Sequence, residues 1–445
     1  MIRDFYIENI RRQMSVTPTM EQDTAMRLFA EYMTCRDDHP VFILNGAAGT
    51  GKTTLASAIV RALMEMKQKI VLMAPTGRAA KVFSLYSGQS AYTIHRRIYR
   101  QRTGAVGLEG FSLNDNLHTD TLFIIDEASM IANQGYGGGG FGSGRLLDDL
   151  MQYVNGGRNC RVMLIGDRAQ LPPVGEDESP ALMPQVMGSY GHIVMHATLS
   201  EVVRQEEDSG ILWNATKVRQ MADNEYAEEL PKVCFRGFDD IRNVPGNELI
   251  EELASSYSRA GLDDTIVITR SNKLAIRYNN GIRNMVLGNE DELCSGDRLM
   301  IVKNNYYWTE KEKLPLPFIA NGDRVKVERV RNIRELYGFR FADVTMSFPD
   351  YDNIELTATV NLNTLRSEAP ALTREESEQL YNKVMEDYQH IPLKADRLKA
   401  LRQDIYYNAL QVKYAYAVTC HKAQGGQWSH VYVDQGYMTD DMLTP

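Results

Sequence analysis

Short, continuously apolar runs alternate along this chain with longer stretches of helical periodicity. Val41-Phe42-Ile43-Leu44-Asn45, Lys69-Ile70-Val71-Leu72-Met73-Ala74, Thr121-Leu122-Phe123-Ile124-Ile125 and Arg161-Val162-Met163-Leu164-Ile165 have the length and character of strands buried on both faces. Between them, Thr53 to Met66 and Gly77 to Leu85 read as helices, the second opening just after Pro75. This alternation predicts a parallel sheet covered by helices on both sides. Residues 1–40 read as polar helix. Two stretches break the rhythm. Arg96 to Asp120 has little periodicity and predicts a surface insertion, and the glycine-dense Gly135 to Gly144 predicts a flexible linker.

The pattern restarts after about Arg204. Ile211 to Met221, Leu249 to Ala260 and Asn272 to Leu287 are helical, and Thr265-Ile266-Val267-Ile268-Thr269 is a buried strand. From Arg298 to Thr359 the alternation is residue by residue, as in Asp323-Arg324-Val325-Lys326-Val327-Glu328-Arg329-Val330, which predicts a small antiparallel barrel or sheet. Arg374 to Leu410 is charged and helical. Tyr414-Ala415-Tyr416-Ala417-Val418 and His430-Val431-Tyr432-Val433-Asp434 return to parallel-strand character. The predicted fold class is α/β, with two parallel-sheet regions and a β-rich insertion in the second.

Composition narrows the setting. A chain of 445 residues exceeds what one core holds, and 43% hydrophobic with 24% charged residues is ordinary for a globular protein. No apolar run approaches the roughly 20 residues that cross a bilayer. The N-terminal residues lack the apolar core of a signal peptide, so a cytoplasmic location with no membrane partner is expected. Five scattered cysteines without a CxxC pair argue against a disulfide framework or zinc site. The net charge of -9 disfavours a nucleic-acid partner on bulk charge alone, so local placement of Arg and Lys must decide that question.

Gly46-Ala47-Ala48-Gly49-Thr50-Gly51-Lys52-Thr53 matches the phosphate-loop pattern G-x-x-x-x-G-K-[ST], between a predicted strand and a predicted helix as that motif requires. Its glycines let backbone N–H groups approach phosphates, Lys52 would reach the β- and γ-phosphates, and Thr53 would hold Mg²⁺. The helix N-terminus adds a positive field. Asp126-Glu127 closes the third strand. Asp126 there can hold Mg²⁺ opposite Thr53, and Glu127 can orient or deprotonate the attacking water; a helix-capping pair is the other use of such acids. Gln170, after the fourth strand, can contact the γ-phosphate and report its loss, although Pro172-Pro173 beside it also fits a rigid turn.

In order along the chain these segments resemble superfamily 1 helicases of class B, the group of RecD, Dda and the petite-integration-frequency helicases. The resemblance rests on Thr17-Pro18-Thr19-Met20-Glu21-Gln22, the phosphate loop, Ala74-Pro75-Thr76-Gly77-Arg78-Ala79-Ala80, Thr93-Ile94-His95-Arg96, Asp126-Glu127-Ala128-Ser129-Met130 and Gly166 to Gly175. It continues through Leu199-Ser200-Glu201-Val202-Val203-Arg204-Gln205, Ile268-Thr269-Arg270-Ser271-Asn272 and Ala417-Val418-Thr419-Cys420-His421-Lys422-Ala423-Gln424-Gly425. It implies two RecA-like domains: residues 1–205, with a wedge insertion at about 96–120, and residues 206–297 with 411–445, the last part incomplete. Residues 298–410 would be an SH3-like insertion that Asn304-Asn305-Tyr306 opens.

The resemblance also implies ATP and Mg²⁺ as cofactors. Gln22 would read the adenine, residues Gly46 through Lys52, Thr53, Thr54 and Gly425 would line the nucleotide, and Arg204 would act as an arginine finger. Pro75, Thr76, Arg78, Thr93 and His95 would grip single-stranded DNA from the first sheet, with Thr419, His421 and Lys422 the matching grip on the second. His95, Tyr92, Tyr306, Tyr307 and Trp308 are candidates for base stacking, with core packing the alternative for each. The expected function is an ATP-dependent helicase that moves 5′-to-3′ on single-stranded DNA and unwinds forked duplex as a monomer. Its contacts should go mainly to phosphates, because a motor ignores sequence. A translocase that does not unwind, or a nucleotide-gated loading module with little turnover, fits the same motifs. The group carries a further arginine motif a short way past Asp434, and the expectation is that the gene continues beyond Pro445 to supply it.

Overall fold

The computed structural model describes residues 2–37, 39–101, 111–134, 142–201, 209–222, 231–316 and 318–436. The four apolar runs of the first half become strands β1 (Val41–Gly46), β2 (Lys69–Ala74), β6 (Thr121–Ile125) and β7 (Arg161–Gly166), and two strands that the sequence pattern did not mark, β3 (Ala91–Thr93) and β8 (Val194–Leu199), flank them. They form one parallel sheet in the order β3-β2-β6-β7-β1-β8. Both faces of the four central strands are covered, which is why their interior positions are apolar, whereas the edge strand β8 leaves His196 and Thr198 exposed. Phe42 and Leu44 face one core, with Phe29 of α2 (Met20–Thr34) and Ile59 of α3 (Lys52–Glu65), while Val41 and Ile43 face the other, with Leu147 and Leu150 of the helix Leu146–Asn155. The helix α1 (Ile2–Gln13) completes the first layer, α4 (Gly77–Ser87) follows β2, and α5 (Ile94–Ile98) follows β3.

Arg96 to Asp120 holds the end of α5 and a hairpin of β4 (Tyr99–Gln101) and β5 (Phe111–Leu113), with residues 102–110 outside the described set. Most of the expected Gly135–Gly144 linker also lies outside the described residues, which resume at Gly142.

The second parallel sheet has three strands, β9 (Thr265–Thr269), β15 (Ala417–Thr419) and β16 (His430–Asp434), in the order β15-β9-β16. Between β9 and β15 stands a closed barrel of β10 (Arg298–Ile301), β11 (Arg324–Leu336), β12 (Phe339–Phe348), β13 (Ile354–Asn361) and β14 (Leu410–Tyr414). Arg374 to Leu410 forms two helices, Arg374–Asp387 and Lys394–Arg402, that bury Leu380, Val384 and Leu401 against Phe339 and Phe341 of β12. The run Tyr414 to Val418, read from sequence as one strand, is divided. Tyr414 ends the barrel strand β14, and β15 begins at Ala417. Asn279 causes the break: its Oδ1 accepts the N–H groups of Tyr416 and Ala417 at 3.0 and 2.8 Å, and Tyr416 Oη donates to Asp297 Oδ1 at 2.8 Å. Among the described residues no helix is long and apolar enough to cross a membrane.

Candidate nucleotide and nucleic-acid site

All strands of a parallel sheet end on one edge, where ligands bind. At that edge β1 runs into the phosphate loop. Gly49 and Gly51 have φ of +84° and +75°, a left-handed backbone that side chains disfavour. Gly51 caps α3 without a side-chain hydrogen bond, so the first-turn N–H groups remain available to an anion. Lys52 Nζ donates to Gly46 O at 3.0 Å, and Thr50 Oγ1 donates to Ala47 O at 2.9 Å. Ala47 and Gly49 are half-buried, as are Lys52 and Thr54; Ala48 and Thr53 are exposed. Gln22 is fully buried beneath this loop. Its Oε1 accepts from Thr19 N at 3.1 Å and its Nε2 donates to Thr50 O at 3.2 Å, so the structure shows it as a strut between α2 and the loop.

Asp126 follows β6, with Oδ1 accepting Glu127 N at 2.9 Å and Oδ2 accepting the Tyr86 hydroxyl. Glu127 has φ of +52°, a left-handed conformation rare outside glycine. Burial and the adjacent Asp126 push its carboxyl up, while Lys52 and a hydrogen bond from Gln170 pull it back. Its Oε2 is buried without a partner. Gln170 Oε1 accepts from Ser129 Oγ at 2.9 Å and from Gln424 Nε2 at 3.2 Å. The second sheet thus reaches the carboxylate through one amide. Gly425 sits beside it with φ of +74°, where a Cβ would stand 3.3 Å from Ala79 Cβ and 3.9 Å from Glu127 Cγ. Arg204 lies outside the described residues. An open helix N-terminus facing an unpartnered acceptor fits a nucleotide with its metal and water.

The proposed DNA-gripping residues gather at the ends of β2, β3 and β15. Thr76 and Thr93 cap α4 and α5, accepting from Ala79 N at 3.2 Å and Arg96 N at 3.3 Å. Pro75 is half-buried beside Thr76, and Thr419 precedes the short helix Cys420–Ala423. His421 and Lys422 are exposed, and Lys422 Nζ donates to Asn321 Oδ1 of the barrel at 2.6 Å. Barrel residues Leu316, Phe318 and Tyr351 close over Gly77, Lys81 and Thr93 around a cavity of about 300 Å³. A Cβ on Gly77 would lie 2.5 Å from Tyr351 Oη, so this contact requires glycine. Arg78 turns elsewhere: its Cζ stands 4.5 Å from the Trp428 ring centre and a guanidinium nitrogen donates to Gln427 O, which ties the two sheets together. His95 lies 5.6 Å from the Tyr99 ring, and burial lowers its pKa to about 4, so it is neutral at pH 7. Of the candidate stacking aromatics, Trp308 is core, with Nε1 donating to Asn408 O at 2.8 Å, and Tyr306 packs against Phe111 of the hairpin with centroids 4.0 Å apart and the rings tilted by 33°.

Residues 19–238 match the AAA domain family model, and residues 414–444 match the UvrD-like helicase C-terminal domain. An uncharacterised protein of Acanthamoeba polyphaga mimivirus is 24% identical, over 94% of this chain and 93% of its own. The ATP-dependent RecD2 DNA helicase of Deinococcus radiodurans is 33% identical over 31% of this chain, and the ATP-dependent DNA helicase Dda of phage T4 is 27% identical over 64%. The chain belongs to the superfamily 1B helicases of the RecD and Dda type. It is an enzyme of the ATP-hydrolysing DNA helicase class. The matched regions span 16% of RecD2 and 62% of Dda.

Sequence reading of this helicase missed Tyr86, which lies 40 positions from Asp126 with no motif to mark it. Its hydroxyl holds the carboxylate expected to face the metal. A charge-assisted hydrogen bond is worth about 1.5 kcal/mol, so Tyr86→Phe should lower turnover about tenfold and raise the Mg²⁺ needed for half-maximal hydrolysis. A Mg²⁺ titration identical to that of the unaltered enzyme would contradict this role.

Burial raises Asp323, at the barrel contact with Gly77, to about 7, with Asp350 adding to the effect against the Ala320 N–H and Tyr351 hydroxyl. Its folded pKa lies above its unfolded value. The stability it contributes is therefore present below about pH 4 and lost as pH rises towards about 7. Thermal melts should show Asp323→Asn more stable than the unaltered helicase at pH 8 but not at pH 4. A difference in melting temperature independent of pH would refute the assignment.

Proposed function

We propose that this helicase couples ATP hydrolysis to 5′-to-3′ movement on single-stranded DNA and unwinds forked duplex, acting as a monomer in the cytoplasm. Residues 1–205 form the first motor domain, residues 206–297 with 415–445 the second, and residues 298–414, extended past Leu410 to include barrel strand β14, the insertion that covers the strand. The observation that carries this reading is the link from Glu127 through Gln170 to Gln424, which joins the hydrolysis site to the second sheet. The polarity is inferred from likeness to the family.

In this reading the loop N–H groups and Lys52 bind the triphosphate, Gln22 supports the loop beside the base, and Arg204 stabilises the transferring phosphoryl group. Thr53 and Asp126 would hold Mg²⁺, which neutralises charge on the phosphates when bound. Glu127 accepts the proton of the attacking water, and Gln170 holds that carboxylate in place. Loss of the γ-phosphate changes what Gln170 contacts, and Gln424 passes the change to the strand end bearing Thr419, His421 and Lys422. With Pro75, Thr76, Arg78, Thr93 and His95 on the first sheet, two grips then alternate as the cleft closes and opens. The test is the ATPase rate with and without single-stranded DNA. Stimulation of about tenfold or more is expected on the scale of coupled closure; an unstimulated rate would favour a nucleotide-gated loading module.

A further inference from the structure

An open pocket of about 490 Å³ lies on the opposite edge of the first sheet, where β2 and β6 begin. Lys67, Lys69, Arg97 and His118 line it. Among the described residues no carboxylate pairs with any of these groups, although the chain carries a net charge of -9. Neutral atoms orient Lys69, Arg97 and His118 instead. An Arg97 guanidinium nitrogen stands 3.0 Å from His118 Nε2, and burial, Arg97 and Lys69 all depress the His118 pKa, so this imidazole is a neutral acceptor. Lys69 Nζ donates to Thr119 O and Oγ1 at 3.3 and 3.2 Å. Arg97 also lies over the Tyr92 ring at 5.5 Å, and its Nε is buried without a partner. Asp120, next along the chain, is turned to Asn159 Nδ2 at 2.8 Å. Positive charges held by neutral partners keep their full field, and a buried donor without an acceptor leaves a place for an anion.

The pocket's shape and position narrow the anion. It is open, and its lining holds no Phe, Tyr or Trp to stack a base, which favours an extended phosphate backbone over a nucleotide. Arg97 belongs to α5, which leads into β4, and His118 belongs to the return from β5 to β6. The pocket is therefore at the foot of the hairpin whose Phe111 meets Tyr306 beside the barrel. We propose that Lys67, Lys69 and Arg97 hold the phosphate backbone of the strand that this hairpin displaces, so the helicase grips both arms of a fork. The proposal rests on the reading of the chain as a DNA helicase. Holding the second arm would raise affinity for forks and slow reannealing behind the hairpin.

The test measures binding of the full chain to a labelled single strand, a duplex with one 5′ tail and a fork with both tails, across a salt series. The helicase should bind the fork about tenfold tighter than the single-tailed duplex at low salt, as expected for the added phosphate contacts of Lys67, Lys69 and Arg97. The double variant Lys67→Glu/Lys69→Glu should lose that margin, and its fork-binding salt slope should fall by about 1.4. Lys67→Arg/Lys69→Arg should keep both, and Lys67→Glu alone, at an exposed side chain, should lose part of the margin. Single-strand affinity and single-strand-stimulated hydrolysis should not change. Absence of a fork margin in the unaltered chain, its survival after charge reversal, or an equal loss on single strands would each overturn the proposal. Hydrolysis that no DNA stimulates would instead overturn the helicase reading, whereas intact stimulation with an unchanged fork margin removes only the second-strand site.

Discussion

Lys52→Ala should abolish unwinding and lower ATP hydrolysis by about 10³-fold, the scale of losing a fixed charge beside the transferring phosphoryl group. Lys52 is the cation that the loop geometry holds at the start of α3, with its Nζ resting on Gly46 O at 3.0 Å. The side chain is half-buried and makes no contact in either core, so folding should not depend on it. The proposed DNA-gripping residues stand at other strand ends, so single-strand affinity should stay within about twofold, as for a site without shared partners. Steady-state hydrolysis and single-strand binding on the same preparation provide the check. Retained unwinding would remove the loop from the mechanism, and joint loss of DNA binding would show that the two sites are not separable.

Glu127→Gln should give the second-largest effect. The amide keeps the shape of the side chain but cannot take a proton from water, so turnover should fall by about 10²–10³-fold, within the range of general-base removal. Nucleotide binding should persist, because the loop N–H groups and Lys52 are untouched. The substitution also removes repulsion from Asp126 and the cost of a buried carboxylate that burial already pushes up. Thermal stability should therefore be equal or higher. Binding of a fluorescent ATP analogue, measured beside turnover, separates these effects. Unchanged turnover would mean that Glu127 is structural, and lost nucleotide binding would make it a ligand rather than a base.

The nucleotide half of the site was legible in sequence because its parts are contiguous. A strand, a glycine-rich turn and a helix that opens on Lys52 form one local unit, and Asp126-Glu127 sits at the end of an unbroken apolar run. The barrel was legible from its alternation, but the sheet to which Tyr414 belongs was not. A helical pair separates β13 from β14, and the break after Tyr414 is made by Asn279, far away in sequence. The DNA-facing half was less legible because one side chain can serve two ends. Thr76 and Thr93 are helix caps as well as candidate grips, and the direction of Arg78 depends on Trp428, which only the folded chain brings near. Tyr86 and the cation cluster at Arg97 left no trace in motif spacing, because each is assembled from separate elements. Arg204 and residues 135–141 of the glycine-dense run lie outside the described residues.

Directional unwinding shows whether the site at Gly46–Thr53 drives movement along DNA. Duplexes with a single 5′ or 3′ tail are incubated with the helicase and ATP, with Lys52→Ala as the control. ATP-dependent strand separation is expected for the 5′-tailed duplex, little for the 3′-tailed one, and none with the variant. Separation of the 3′-tailed duplex alone would contradict the polarity, and hydrolysis without separation of either would contradict the helicase itself.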